Sequence, residues 1–111
     1  MSATQIITTY ERVLALMQRM HAAAGERNWD RLVELETECK SVVGELIAHE
    51  EREPLAAAQQ QRKLAIIRQL LALDAAIRAL TEPWLKQLQV FLGTRRQERQ
   101  LRAAYGAPDG A

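Results

Sequence analysis

Apolar residues Ile6, Tyr10, Val13, Leu14, Met17, Met20, His21 and Ala24 recur at steps of three and four, with Glu11, Arg12, Gln18 and Arg19 on the other side. That spacing predicts one buried stripe on a helix over residues 3–24. Ser2 or Thr4 serves as its cap, and Gly25 as its stop, since glycine takes the left-handed conformation without steric cost. Asn28, a favoured N-cap residue, then opens a second helix whose stripe is Trp29, Leu32, Leu35, Cys39, Val42, Val43 and Leu46, ending near His49. Glu34, Glu38 and Glu45 mark its polar side. A link of a few residues makes these two helices antiparallel neighbours. Gly44 costs the second helix about 1 kcal/mol against alanine unless it lets another helix approach closely.

The charged stretch 50–53 runs into Pro54 and reads as a loop. From Leu55 or Gln59 a third pattern follows: Leu64, Ile67, Leu70, Leu71, Ile77, Leu80, Trp84, Leu88 and Phe91. Its phase passes straight through Pro83, which removes one backbone hydrogen bond and crowds the carbonyl of Ala79. Two readings stand: a helix newly capped by Thr81 or Glu82 with proline in its first turn, or one long helix kinked at Pro83. Unbroken phase favours the second. Gly93 and Thr94 are expected to end that helix and cap a short, mobile, arginine-rich fourth helix over 94–105, with residues 106–111 as a flexible tail. The fold class is therefore all-α, a small antiparallel helical bundle forming a single domain over 1–111, with core helices in 1–93.

Composition agrees with this. Of 111 residues, 48% are hydrophobic and only 5% aromatic, while the 8 glycines and prolines are too few for a collagenous or low-complexity chain. Ala, Leu, Gln, Arg and Glu, all good helix formers, dominate. Fifteen basic and 14 acidic side chains leave a net charge of +1, so no overall field steers the molecule onto DNA or an anionic membrane. A single cysteine excludes an internal disulfide, and neither a signal peptide nor a membrane-length apolar run is visible. A soluble, cytoplasmic protein is expected. Local charge is less even. Residues 26–53 hold nine acidic against four basic side chains, net −5, and residues 84–105 hold five basic against one acidic, net +4. Opposite signs favour docking of the last helix along the second, though exposed pairs contribute only about 0–1 kcal/mol each.

Candidate chemistry is sparse. There is no glycine-rich phosphate cradle, no G-x-S-x-G turn and no C-x-x-C, and the protein is not expected to be an enzyme. His21 and Cys39 fall on apolar stripes and read as core residues, because two ligands do not make a structural zinc site. No metal or cofactor is expected. Asp74 stands either on the outer side of its helix or paired with Arg78, four residues on. Four arginines between 95 and 102 read as a solvated or acid-paired face rather than a DNA-reading element. The clearest feature is apolar excess: Leu64, Ile66, Ile67, Leu70, Leu71, Leu73, Ile77 and Leu80 fall within 17 residues, wider than a stripe facing two helices. It suits a centrally packed helix, a groove for an amphipathic helix of another protein, or burial in a homodimer.

Gly25-Glu26-Arg27-Asn28-Trp29-Asp30-Arg31-Leu32, with its tryptophan and leucine three apart, resembles the entry to the second helix in the FliT family. Residues 71–80, Leu-Ala-Leu-Asp-Ala-Ala-Ile-Arg-Ala-Leu, resemble that family's third helix, and 101–106 resemble its closing L-x-x-A-Y-G. The resemblance covers nearly the whole chain in order. It implies a flagellar type III export chaperone whose client is the C-terminal amphipathic segment of the filament-cap protein FliD. By the same resemblance the client groove falls on Ile67, Leu71 and Arg78, Tyr105 contacts the export gate FlhA, and a last helix hinged at Gly93 masks both surfaces in the free protein. Some relatives also bind the export ATPase and the flagellar master regulator. A regulatory protein that sequesters that transcription regulator is the alternative function.

Overall fold

The computed structural model describes residues 1–49 and 54–104, with side chains described as far as residue 93 and at Arg99. Three helices account for nearly all of it: α1, Ala3–Gly25; α2, Trp29–His49; and α3, Ala57–Ala104. Each start has a local cause. Ser2 caps α1 in a reciprocal box, its Oγ accepting from the Gln5 N–H at 3.2 Å while Gln5 Oε1 accepts from the Ser2 N–H at 2.8 Å. Asn28 caps α2, its Oδ1 accepting from the Arg31 N–H at 3.2 Å. At the head of α3, Gln59 Oε1 accepts from the Ala56 N–H at 2.9 Å, just after Pro54 has interrupted the chain. Expectation and structure agree on the first two caps.

The end of α1 differs from the sequence reading. Gly25 is the last helical residue, and the left-handed turn falls two residues later, at Arg27, with φ 57°. The Arg27 N–H donates to the Ala24 carbonyl at 3.1 Å and the Asn28 N–H to the Ala23 carbonyl at 2.9 Å. That pair of bonds is a Schellman closure, so hydrogen bonding of the last carbonyls, and not the glycine, sets the stop.

The chain divides into two compact units, Met1–Leu80 and Thr81–Ala111. In the first, α1 and α2 pack as an antiparallel pair around Ile6, Val13, Leu16, Ala24, Leu35 and Val42, all buried. Ile66 of α3, with no exposed surface, belongs to the same cluster, and Leu55, Ile67, Leu70 and Leu73 pack against it. Burying a side chain of this size contributes about 1.5–3 kcal/mol. At the surface Arg12 of α1 meets Glu38 of α2 at 3.3 Å, and Arg62 of α3 meets Glu11 of α1 at 3.3 Å. Lys63 Nζ lies 5.8 Å from the centre of the Tyr10 ring. These contacts set the first turns of α3 beside the first turns of α1.

Two expectations about α3 change. Pro83 lies inside a single 48-residue helix, which settles the choice between the two readings of the sequence for continuity. Pro83 and Ala79 are both exposed, so water can satisfy the carbonyl that loses its intrahelical donor. The break expected at Gly93–Thr94 is absent: residues 94–104 are helical as foreseen, but they continue α3 and do not form a separate fourth helix. Gly93 has no positive φ and nothing within 4 Å of where a Cβ would stand. Without a left-handed residue an interior glycine only weakens a helix, by about 1 kcal/mol, and does not end it. The loop expected over 50–53 and the tail over 106–111 lie outside the described residues.

Arg27 supplies a direct test of the α1 stop. A non-glycine residue held left-handed costs about 1–2 kcal/mol, partly offset in a glycine variant by its freer unfolded chain. Arg27→Gly is therefore expected to raise the thermal midpoint by a few degrees, measured by circular dichroism at 222 nm. A lower midpoint would mean that the arginine side chain itself holds the turn.

Candidate functional site

Helix α3 carries apolar residues on most of its circumference between 64 and 80, so periodicity alone does not say which face turns inward. The structure chooses Ile66 and Ile77, both buried, with Leu70 and Leu73 half-buried between them. Leu64 and Leu71, both members of the apolar pattern read from the sequence, face outward at 50% and 65% exposure. Seven residues apart on a helix, they lie on one line, and Arg78 falls seven further on. Ile67 stands on the edge of the same strip, half-buried, with one side against the core.

Arg78 is exposed and forms an ion pair with Asp74 one turn back on α3. This is the paired alternative left open for Asp74. Three residues expected to form a binding strip, Ile67, Leu71 and Arg78, are thus brought together on one side of α3. Leu64 and Asp74 extend it, and the seven-residue spacing of 64, 71 and 78 was the signal that could have found Leu64. Gly93 lies within the helix in the second unit, and Tyr105 lies outside the described residues.

A second apolar surface lies between α1 and α2. It is a shallow groove of about 280 Å³ lined by Met17, Met20, Cys39, Val43, Gly44 and Ile47, with Ile47 72% exposed. A Cβ added at Gly44 would meet nothing within 4 Å, so this glycine does not serve close packing within the chain. Glu36 and Lys40, paired at 3.0 Å, border the groove. Cys39 is half-buried there, as its stripe position foretold, whereas His21 is exposed and does not join it. Burial pushes the Cys39 thiol above its ordinary value, and the negative charges of Glu36 and Glu38 add to the shift. Among the described residues there is no group of three or more potential metal ligands, and no helix is long and apolar enough to cross a membrane.

The described residues thus present two apolar surfaces, one along α3 and one between α1 and α2. Comparison with known proteins narrows the class. The profile of a family described as "Flagellar protein FliT" matches residues 7–107. The flagellar protein FliT of Cronobacter sakazakii (strain ATCC BAA-894) is 26% identical over 104 residues, covering 94% of this chain and 86% of that protein. The crystal structure of flagellar protein FliT from Bordetella bronchiseptica superposes with a TM-score of 0.70 at 32% identity, covering 78% of this chain and 97% of that one. The chain belongs to the FliT family of flagellar proteins, a family described by its place in the flagellum and not by a catalysed reaction.

The environment of Cys39 has a measurable consequence. A raised thiol pKa leaves less thiolate at neutral pH, and thiolate is the reactive form. Alkylation of Cys39 by iodoacetamide should be slower at pH 7.5 than that of a cysteine in a short unstructured peptide, with its pH–rate midpoint displaced upward. Replacing Glu36 and Glu38 by glutamine should recover only part of the difference, because burial is the larger cause. A midpoint at or below that of the peptide would contradict the buried setting.

Proposed function

We propose that this protein is a flagellar type III export chaperone that holds the C-terminal amphipathic segment of the filament-cap protein FliD and delivers it to the export gate FlhA. The observation that carries this reading is the α3 strip, where Leu64 and Leu71 stand 50% and 65% exposed beside Ile67 and lead to Arg78. An amphipathic helix laid along such a strip buries its own apolar residues at matching spacing. Arg78 then supplies a guanidinium that a client carboxylate shares with Asp74, which orients the segment. Membership of the FliT family supports the flagellar setting. No catalytic group is needed, because masking an aggregation-prone segment and releasing it are both binding events.

Delivery requires that gate and client each favour one of two forms of the chaperone. In this proposal Tyr105 meets the gate, and Gly93, the weakest point of α3 by intrinsic propensity, is where the helix bends between forms. The export ATPase and the flagellar master regulator are further candidate partners.

The client strip can be tested without disturbing the core. Ile67 packs against the core cluster, so Ile67→Asp would lower fold stability as well as affinity. Leu71→Asp places the charge at an exposed position and separates the two effects. It is expected to weaken binding of a FliD C-terminal peptide by at least about 30-fold, the loss of one interface hot spot, with unchanged helicity. Titration calorimetry of the full chain checks this, and unchanged affinity would remove the strip from the client site. Gate contact separates from client contact at Tyr105. Tyr105→Ala should weaken binding of the FlhA cytoplasmic domain by the chaperone–client complex and leave the peptide titration as it was. Equal gate affinity in the variant would assign that contact elsewhere.

A further inference from the structure

Within the first unit, α3 carries two seams of the same period. Ile66, Leu70, Leu73 and Ile77 follow one another at steps of four, three and four, and each is buried or half-buried. Leu64, Ile67, Leu71, Asp74 and Arg78 follow at steps of three, four, three and four. Alternating threes and fours average 3.5 residues, the period that keeps one seam facing one neighbouring helix along its length. Ile66, Leu70 and Leu73 of the inner seam pack into the cluster of α1 and α2. The outer seam has the same construction but lies open to solvent: Leu64 and Leu71 are 50% and 65% exposed, Ile67 and Asp74 are half-buried, and Arg78 is exposed. Its three apolar positions run into an acid and a base, and those two are paired with each other.

We infer that this seam sets the register and the sense of its occupant, a conclusion that rests on reading the strip as the client site. The occupant is an amphipathic helix lying antiparallel to α3, with a base opposite Asp74, an acid opposite Arg78, and apolar residues opposite Leu71, Ile67 and Leu64. Charge complementarity identifies the charged part. Asp74 and Arg78 both stay exposed in their pair, so two opposite charges from a partner close a ring of four alternating charges, which contributes more than an isolated surface pair. A polar layer inside an apolar seam also fixes register. Sliding the partner by one heptad would set its apolar residues against Asp74 and Arg78 and its charges against leucine. Sense follows from the order of the charges. In an antiparallel partner the acid facing Arg78 precedes the base facing Asp74 by four residues. Acid before base at that spacing is the order that stabilises a helix by itself, and it is the order of Asp74 and Arg78 here. A parallel partner would need base before acid, the weaker order.

The test uses the full chain and three designed helical peptides, followed by fluorescence anisotropy. The first, the antiparallel complement, carries glutamate, lysine and three leucines at seam positions 1, 5, 8, 12 and 15. The second exchanges its glutamate and lysine. The third, the parallel complement, carries three leucines, lysine and glutamate at positions 1, 4, 8, 11 and 15. At 50 mM salt the first should bind at least tenfold more tightly than either of the others, with the advantage shrinking at 500 mM. Asp74→Arg/Arg78→Asp should reverse the preference between the first two. Both peptides are unchanged in that comparison, so a difference in their helicity cannot imitate the reversal. Leu71→Asp should abolish binding of all three. Equal affinity for the first two peptides, or a preference that survives the charge exchange, overturns the charged layer, and tighter binding of the third overturns the antiparallel sense. In either case a FliD C-terminal peptide that still binds, and is still weakened by Leu71→Asp, leaves the client assignment standing, so the two readings fail separately. Binding of none of the three peptides overturns the inference. Sedimentation showing a dimer that Leu71→Asp dissolves would assign the seam to a second copy.

Discussion

The arrangement of the first unit depends on one insertion: Ile66 of α3 seated without residual exposure in the cluster formed by α1 and α2. The α1–α2 pair has a continuous seam of its own, from Ile6 to Ala24 on one side and from Leu32 to Leu46 on the other. Helix α3 meets it over a short length, and the ion pair and ring contact at Arg62 and Lys63 lie on exposed surface where each contributes little. Apolar burial around Ile66, Leu70 and Leu73 therefore supplies most of what fixes the rotation of α3. Removing a side chain of this kind from a core typically costs about 2–5 kcal/mol, a large part of the stability of a small domain.

Fixing that rotation also fixes what is left outside. On a helix apolar around most of its circumference, turning Ile66 and Ile77 inward forces Leu64 and Leu71 outward, because residues two before and five after an inward position fall well away from its direction. The exposed strip is thus a geometrical consequence of the core contact. A chain that needed only stability would carry polar residues at 64 and 71, where exposure of 50% and 65% returns little from leucine. Retaining leucine there makes sense if a second chain covers it, which is the physical link between the packing of α3 and the proposed chaperone role.

How much of this was legible beforehand follows from where local rules acted alone. Ser2, Asn28 and the first two stripes were readable because capping chemistry and a single well-separated apolar face left one solution. The all-α class and the FliT resemblance were likewise visible in residues 25–32 and 71–80. Three features were not. The stop of α1 moved from Gly25 to Arg27 because paired hydrogen bonds to Ala23 and Ala24 outweigh the cost of one left-handed arginine. The inward face of α3 was ambiguous because eight apolar residues in 17 define no single stripe. The continuity of α3 through Gly93 escaped because glycine marks a weak place in a helix, and a weak place becomes an end only when a left-handed turn closes there.

Continuity also changes what charge asymmetry means. Read as a detached fourth helix, the arginines of 95–102 had only the acidic residues of 26–53 to explain them. Placed on the same helix as Trp84, Leu85, Leu88 and Phe91, they belong to a continuation of α3 and not to a detached element. High intrinsic propensity supports that continuity, since Leu, Lys, Gln and Arg flank Gly93 on both sides. Gly93, the position of lowest propensity in that stretch, is then where a bend between two forms of the helix costs least.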